Sequence, residues 1–370
     1  MKMWPYMIRL NYIGIAALCF SLMCVFFLYS STKLSTKDIT ARLGLKRFRF
    51  ASFGSKAIED INLKHLLLAI IKVAEKGGHQ VFKVRNSNDL KEKSKGETKE
   101  GVNVPLTRAD IRSHQIMVNS LSLNFPGLKI VSEENHEEQD EDLGVITPIK
   151  IEGDKQLFDD DIIHLPETKV PIDDLVVWID PLDATKEFTE YLLGYVTTMV
   201  CVAQKGKPIM GVIHKPFSKP TAQTYWAWFD NGMSNTIQQL LDSRNISDAS
   251  NPRIIVSRSH GGDVHRIAKK AFGDKVTVIP AGGSGYKTIE LITGHADAYV
   301  HVTAIKKWDI CAANAIMNTV ESGKMTTLNG ESITYLDDGN EEVSKGLLAT
   351  MFLDDELHSN YVNVLKAALN

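Results

Sequence analysis

The chain has 370 residues, 42 basic and 45 acidic side chains, a formal net charge of −3 and 44% apolar residues. That balance excludes a disordered chain, a coiled-coil rod and a collagen-like or low-complexity polymer. It carries no basic footprint for a nucleic-acid polymer. Four cysteines in this length exclude a disulfide scaffold, and Cys201 and Cys311 stand far apart at no metal-ligand spacing.

Residues 13–29 read IGIAALCFSLMCVFFLY, 17 residues without a charge. This is the short end of a membrane-spanning helix and longer than the apolar core of a cleaved signal peptide. The expected organisation is a tail over 1–11, a transmembrane signal anchor over 12–30, a basic stem over 31–56 and a folded domain over 57–370. The stem holds Lys33, Lys37, Arg42, Lys46, Arg47, Arg49 and Lys56 against Asp38 alone. Read literally, the positive-inside rule places the folded domain in the cytosol, although large domains translocate despite their charge. Asn245-Ile246-Ser247 is a glycosylation sequon if that domain is lumenal.

Apolar periodicity predicts a helix over 58–76, stopped by Gly77-Gly78, then a charged loop over 91–100 and a second helix over 107–124. A short strand over 128–131 leads into Ser132-Glu133-Glu134. Residues 135–174 hold 13 acids and three lysines and read as a solvated acidic insertion. Residues 175–179 are a buried strand. A hairpin is expected over 197–203 and 209–214, then strands over 224–229, 253–256, 275–279, 297–302 and 347–353. Helices are expected over 286–293, 309–320 and 356–368. Strands and helices alternate without a repeat, which indicates a mixed α/β or α+β fold, with one lobe over about 57–230 and another over about 231–370.

The densest chemistry is Asp180-Pro181-Leu182-Asp183-Ala184-Thr185. Two carboxylates at a strand end, followed by a helix start, point into the crevice where α/β sheets bind ligands. The helix start offers free N–H groups to an anion. Carboxylates and a phosphate tolerate each other there only with a divalent cation between them, so Mg²⁺ and a small phosphorylated substrate are expected. Taken singly, Asp183 reads equally as a helix cap, Glu133 as solvated, Asp309 as a first-turn acid and Asp110 as half of a capping box with Thr107. P-loop, aspartyl-phosphate, cysteine-phosphatase and G-x-S-x-G signatures are all absent.

Ser132-Glu133-Glu134, the segment WIDPLDATKEF over 178–188 and Trp308-Asp309 occur in that order. Together they resemble the signature of the lithium-sensitive inositol monophosphatase superfamily over roughly 57–355. Residues 256–260 and 283–287 are similar to nucleotide-contacting segments of its 3′(2′),5′-bisphosphate nucleotidases. The anchor, the acidic insertion and HVTAIKKWDICA over 301–312 resemble a Golgi-resident branch.

The resemblance implies a layered αβαβα fold and a Mg²⁺-dependent phosphomonoesterase with two or three ions. Glu133, Asp180 and the carbonyl of Leu182 would hold one ion. Asp180, Asp183 and Asp309 would hold the second. Thr185 would orient the attacking water, with Asp110 or Glu133 as base. Asp183, Ala184, Thr185, Ser257, His260, Ser284, Lys287 and Asp309 would contact substrate, with Lys287 meeting a 5′-phosphate aided by the helix start beside it. Ala184 stands where most of the superfamily has glycine, so a backbone conformation suited to a Cβ is expected there. The implied substrate is adenosine 3′,5′-bisphosphate (PAP), with an inositol phosphate as the alternative and an inactive tethered scaffold as a distant third. The resemblance also implies a lumenal catalytic domain and admits a homodimer.

Overall fold

The structure is a computed structural model and describes residues 60–98, 101–134, 147–150, 160–244, 251–259, 263–352 and 355–369. All of them belong to one compact unit, Ile58–Asn370. The expected anchor over 12–30, the stem, Asn245 and His260 lie outside the described residues. Among those described, no helix is long and apolar enough to cross a membrane.

Two sheets organise the fold. The first has six strands in the order Gly232–Met233, Gln223–Trp228, Lys207–Lys215, Thr197–Gln204, Leu175–Asp183 and Lys129–Ser132. It is antiparallel except where Lys129–Ser132 runs parallel to Leu175–Asp183. The second has five strands in the order Thr277–Ala281, Arg253–Ser257, Ala298–His301, Leu347–Met351 and Gly323–Thr326. Helices Leu63–Ser87 and Arg108–Asn124 cover the outer face of the first sheet, through a core that includes Leu66, Ile70, Met117, Val177 and Val200. Helices Ser284–Ile292 and Lys307–Thr319 fill the space between the sheets, among Trp178, Ile213, Tyr299 and Ile316. Helices Val264–Phe272 and Asp355–Leu369 cover the second sheet over Val256, Val300 and Leu365. The expected αβαβα layering is therefore present. Each fully buried Leu, Ile or Val in these cores contributes about 1.5–3 kcal/mol.

The first helix does not stop at Gly77-Gly78; it runs on through Leu63–Ser87. Both glycines mark close approaches instead. A Cβ at Gly77 would lie 2.5 Å from Met117 Sδ, and one at Gly78 would lie 2.4 Å from His214 Cδ2. The stop comes at Asn88, which takes the left-handed conformation at the C-cap and donates its N–H to Arg85. The expected charged loop over 91–100 contains a strand, Lys93–Glu97, paired with Asn103–Leu106. Part of the acidic insertion is ordered into the domain: Lys169–Pro171 pairs with Asp60–Asn62, and Ile162 is buried. Helices Asn235–Asp242 and Val264–Phe272 and the strand Gly323–Thr326 have no counterpart in the sequence reading.

Helix Lys307–Thr319 lies directly on the first sheet. A Cβ at Gly211 would stand 2.2 Å from the carbonyl oxygen of Ala312, so only glycine allows this contact. Beside it, Cys201 and Cys311 form a disulfide that closes a separation of 110 residues. A cross-link of that span stabilises a fold by roughly 2–5 kcal/mol.

Candidate active site

The strand Leu175–Asp183 is buried along its whole length. In a regular strand, side chains three apart face opposite sides. Here the pairing register with Thr197–Gln204 shifts between Asp180 and Asp183. That irregularity, at Pro181-Leu182, rephases the strand, so both carboxylates line one cavity. Proline is tolerated at such a bulge because no ladder hydrogen bond is needed from it.

Glu133 follows the neighbouring strand and its N–H donates to the Ile179 carbonyl at 3.1 Å, which sets it beside Asp180. Asp309 arrives from the first turn of helix Lys307–Thr319, where it accepts from the Lys306 N–H at 3.2 Å. One oxygen from each of Glu133, Asp180 and Asp309 lies within 4.8 Å of the others. Asp183 faces the same cavity and accepts from Thr197 Oγ1 at 3.1 Å and from the Gly285 N–H at 2.8 Å. Burial, and next the Glu133 charge, hold Asp180 and Asp309 well above the usual carboxylate range. A cation placed among these oxygens removes that repulsion. The donors are all hard oxygens, which fits a divalent ion of the magnesium or calcium type.

Asp110 lies on the first turn of Arg108–Asn124 and is buried. The capping box is real: Asp110 Oδ2 accepts from the Thr107 N–H at 2.7 Å and from Thr107 Oγ1 at 2.6 Å. The other oxygen, Oδ1, accepts from Thr185 Oγ1 at 2.9 Å, so the capping carboxylate is also joined to a residue that lines the cavity. Burial raises the Asp110 carboxyl to about 6 against the opposing charge of Lys95. The Leu182 carbonyl lies within 2.9 Å of Thr185 Oγ1 and keeps a second lone pair.

Ala184, not Asp183, is the N-cap of Thr185–Thr189, and it sits in the left-handed region at φ 69°. The expected relief for a Cβ is therefore absent. That conformation costs a non-glycine residue about 1–2 kcal/mol, and glycine returns about 0.4–1 kcal/mol of that to the unfolded chain. Ala184→Gly is expected to stabilise the fold by roughly 0.5 kcal/mol by this difference. Chemical denaturation checks it, and a loss of stability contradicts the strain.

The cavity measures about 550 Å³ and reaches from the carboxylates to Ser257, Ser284, Lys287 and Tyr299. Lys287 is not a surface lysine: it is buried, donates to the Gly283 carbonyl at 2.6 Å and lies 4.9 Å from the centre of the Tyr299 ring. Burial pushes its ammonium down to about 8 against the pull of Asp183. The helix start beside it donates to Asp183 through Gly285, so that N–H is not free for a 5′-phosphate as expected.

Lys95 was hidden in the charged run. Its ammonium reaches Glu133 Oε1 at 2.9 Å and also contacts Glu134. Burial lowers its pKa, but the carboxylates of Glu133, Glu134 and Asp110 outweigh burial and raise it. The hairpin of Lys93–Glu97 with Asn103–Leu106 holds that lysine toward Glu133 and Glu134, 38 and 39 residues away, and the charged run does not announce it.

A layered αβαβα fold with a carboxylate crevice between its sheets is the setting of a metal-dependent hydrolase. The model of the inositol monophosphatase family matches residues 62–360, and the chain belongs to that family. It is accordingly a phosphoric monoester hydrolase. Inositol monophosphatase 3 of Xenopus tropicalis is 41% identical over 95% of this chain and 94% of its own. The Golgi-resident adenosine 3′,5′-bisphosphate 3′-phosphatase of Homo sapiens is 40% identical over 96% of each chain. Among solved structures, an inositol monophosphatase from Anabaena superposes with a TM-score of 0.54 at 16% identity, covering 82% of this chain and 96% of that one. CysQ from Bacteroides thetaiotaomicron gives 0.51 at 23% identity, over 78% and 97%. These two likenesses are of fold.

Proposed function

We propose that the chain is a Mg²⁺-dependent, Li⁺-sensitive phosphatase that removes the 3′-phosphate of PAP to give AMP. The observation that carries this reading is the convergence of Glu133, Asp180 and Asp309 within 4.8 Å in the cavity that also holds Asp183 and the buried Lys287. The similarity to the human 3′-phosphatase over nearly the whole chain supports the nucleotide as substrate.

When bound, Mg²⁺ would lower the pKa of a water and offset charge on the phosphoryl oxygens. Glu133, Asp180, Asp309 and Asp183, with the Leu182 carbonyl, are the groups that would hold it. The chain's own part is positioning and proton transfer. Thr185 Oγ1, tied to Asp110 and within reach of the Leu182 carbonyl, orients the attacking water. Asp110, at about 6, is mostly ionised at pH 7 and accepts the proton through Thr185. The N–H groups of Ala184 and Thr185 hold phosphoryl oxygens at the helix start, where they stabilise developing charge. Ser257, Ser284 and Lys287 hold the remainder of the nucleotide.

Lys287→Ala tests the substrate. If Lys287 meets the second phosphate, kcat/KM for PAP falls by about 1.5–3 kcal/mol, the worth of a charge-assisted hydrogen bond. Hydrolysis of inositol 1-phosphate changes far less. Equal losses on both substrates, or a wild-type preference for inositol 1-phosphate, make the protein an inositol monophosphatase instead. No turnover of either by the wild type leaves the inactive scaffold.

The same reading anchors the chain in the Golgi membrane through residues 12–30, with 31–370 in the lumen. The Cys201–Cys311 disulfide supports it, because such bonds persist in oxidising compartments. Protection of residues 57–370 from protease in sealed vesicles is expected, and digestion there overturns the topology.

A further inference from the structure

We propose that the Cys201–Cys311 disulfide is a positioning element of the metal site, fixing Asp309 against the sheet at the strand next to the one that carries Asp180. The inference rests on the metal reading above. Both cysteines are buried in the core between the sheets, Cys311 on the helix of Asp309 and Cys201 on the strand beside that of Asp180.

Cys311 lies two residues after Asp309 on helix Lys307–Thr319. Cys201 lies on the strand Thr197–Gln204, directly opposite Trp178, while Met199 of that strand is opposite Asp180. The bond therefore joins the first turns of the helix to the sheet about two strand residues, roughly 7 Å, from the bridging carboxylate. Gly211, the other cross-strand neighbour of Cys201, is where the backbone of Ala312 touches the sheet. Helix and sheet are thus seated on each other at adjacent points, one covalent and one by close backbone approach.

The need for such a clamp follows from charge. Without a cation, Glu133 and Asp183 both repel Asp309. Asp309 belongs to a different element from Asp180 and Glu133, so that repulsion tends to push the helix start away from the sheet. Among the described residues, the backbone donor to its carboxylate is the Lys306 N–H of its own helix start, which offers no hold across the gap. The disulfide supplies that hold before any ion binds. A site kept together in advance binds its ion more tightly than one assembled by it.

The test is Mg²⁺ binding to the metal-free full chain by calorimetry, read beside kcat at saturating Mg²⁺. Peptide mapping without reductant should recover Cys201 and Cys311 joined. Cys201→Ala, Cys311→Ala and the double variant should each weaken Mg²⁺ binding by about 10-fold, the lower end of what supporting groups around a metal contribute. The three losses should be equal, because either single change already removes the bond. kcat at saturating Mg²⁺ should stay within about 2-fold, since the ligands themselves are intact. Met317→Ala, in the core part of the same helix, should destabilise the fold and leave the Mg²⁺ affinity unchanged. If the alanine variants do not fold, Cys201→Ala with Cys311→Val restores lost volume and should show the same weakening. Free thiols at both positions, wild-type affinity in the variants, additive losses in the double variant, or an equal loss in Met317→Ala each overturn the inference. A wild type that binds no Mg²⁺ at all overturns the metal reading first, and so is told apart from a failure of the clamp alone.

Discussion

Asp180→Asn is expected to cut kcat at saturating Mg²⁺ by at least about 10²-fold, the scale of losing a charge-stabilising group in a preorganised site. Asp180 is the carboxylate proposed to be shared by both ions, and one of its oxygens lies within 4.8 Å of Glu133 and Asp309. It ends the straight part of a fully buried strand, beside Glu133, and its Oδ1 accepts the Leu182 N–H at 3.1 Å across the bulge. The amide keeps the shape and that acceptor but removes the charge that a shared cation needs. Asp183→Asn and Asp309→Asn should chiefly raise the Mg²⁺ concentration needed, because each would touch one ion. The substitution should not unfold the protein. Burial, and then the charges of Glu133, Asp183 and Asp309, raise the pKa of Asp180. A neutral side chain relieves this repulsion, so the metal-free variant should be no less stable than the wild type to denaturant. Lost turnover with retained stability is the signature of a functional rather than a structural carboxylate. A near wild-type kcat in Asp180→Asn would remove Asp180 from the bridging role.

The parts of this site written in the sequence are those carried by short, contiguous segments. Asp180 and Asp183 share one motif, Asp110 announces itself through its capping spacing with Thr107, and Asp309 follows Trp308 at a helix start. What the sequence leaves out depends on contacts between distant segments. Gly77-Gly78 looks like a helix stop until Met117 and His214 are seen pressed against it. Lys95 looks solvated because its run is charged throughout, and the pairing of its strand aims it at Glu133 and Glu134. The disulfide joins cysteines 110 residues apart, so spacing cannot reveal it. Ala184 shows the opposite failure: the residue type argued against a left-handed conformation, yet φ is 69° there. The surrounding site, with Asp183 held by Thr197 and Gly285, fixes the turn more strongly than the Cβ resists it.

Removal of divalent cations should abolish activity altogether, and Mg²⁺ should restore it. The reason lies in what the site does when only protein groups are present. Glu133 Oε1 is then met by Lys95, and burial with the charge of Glu133 raises Glu134 to about 8. Lys95 and Lys287, the cations that offset its carboxylates, provide two positive charges for a site that gathers Glu133, Asp180, Asp183 and Asp309. That is too little to admit a phosphate dianion beside them, so without a cation substrate binding fails as well as chemistry. The second readout is stability. An ion that binds the folded chain alone stabilises it by RT ln(1 + [L]/Kd), about 2.7 kcal/mol at 100 times Kd. Mg²⁺ should therefore raise the thermal midpoint of the chelated protein in step with regained turnover, and Asp180→Asn should blunt both responses. Full activity in excess chelator would dismiss metal chemistry here. A midpoint that does not move with Mg²⁺ would mean that the folded chain by itself holds no ion, and would remove Glu133, Asp180 and Asp309 as a preformed metal site even if activity returned.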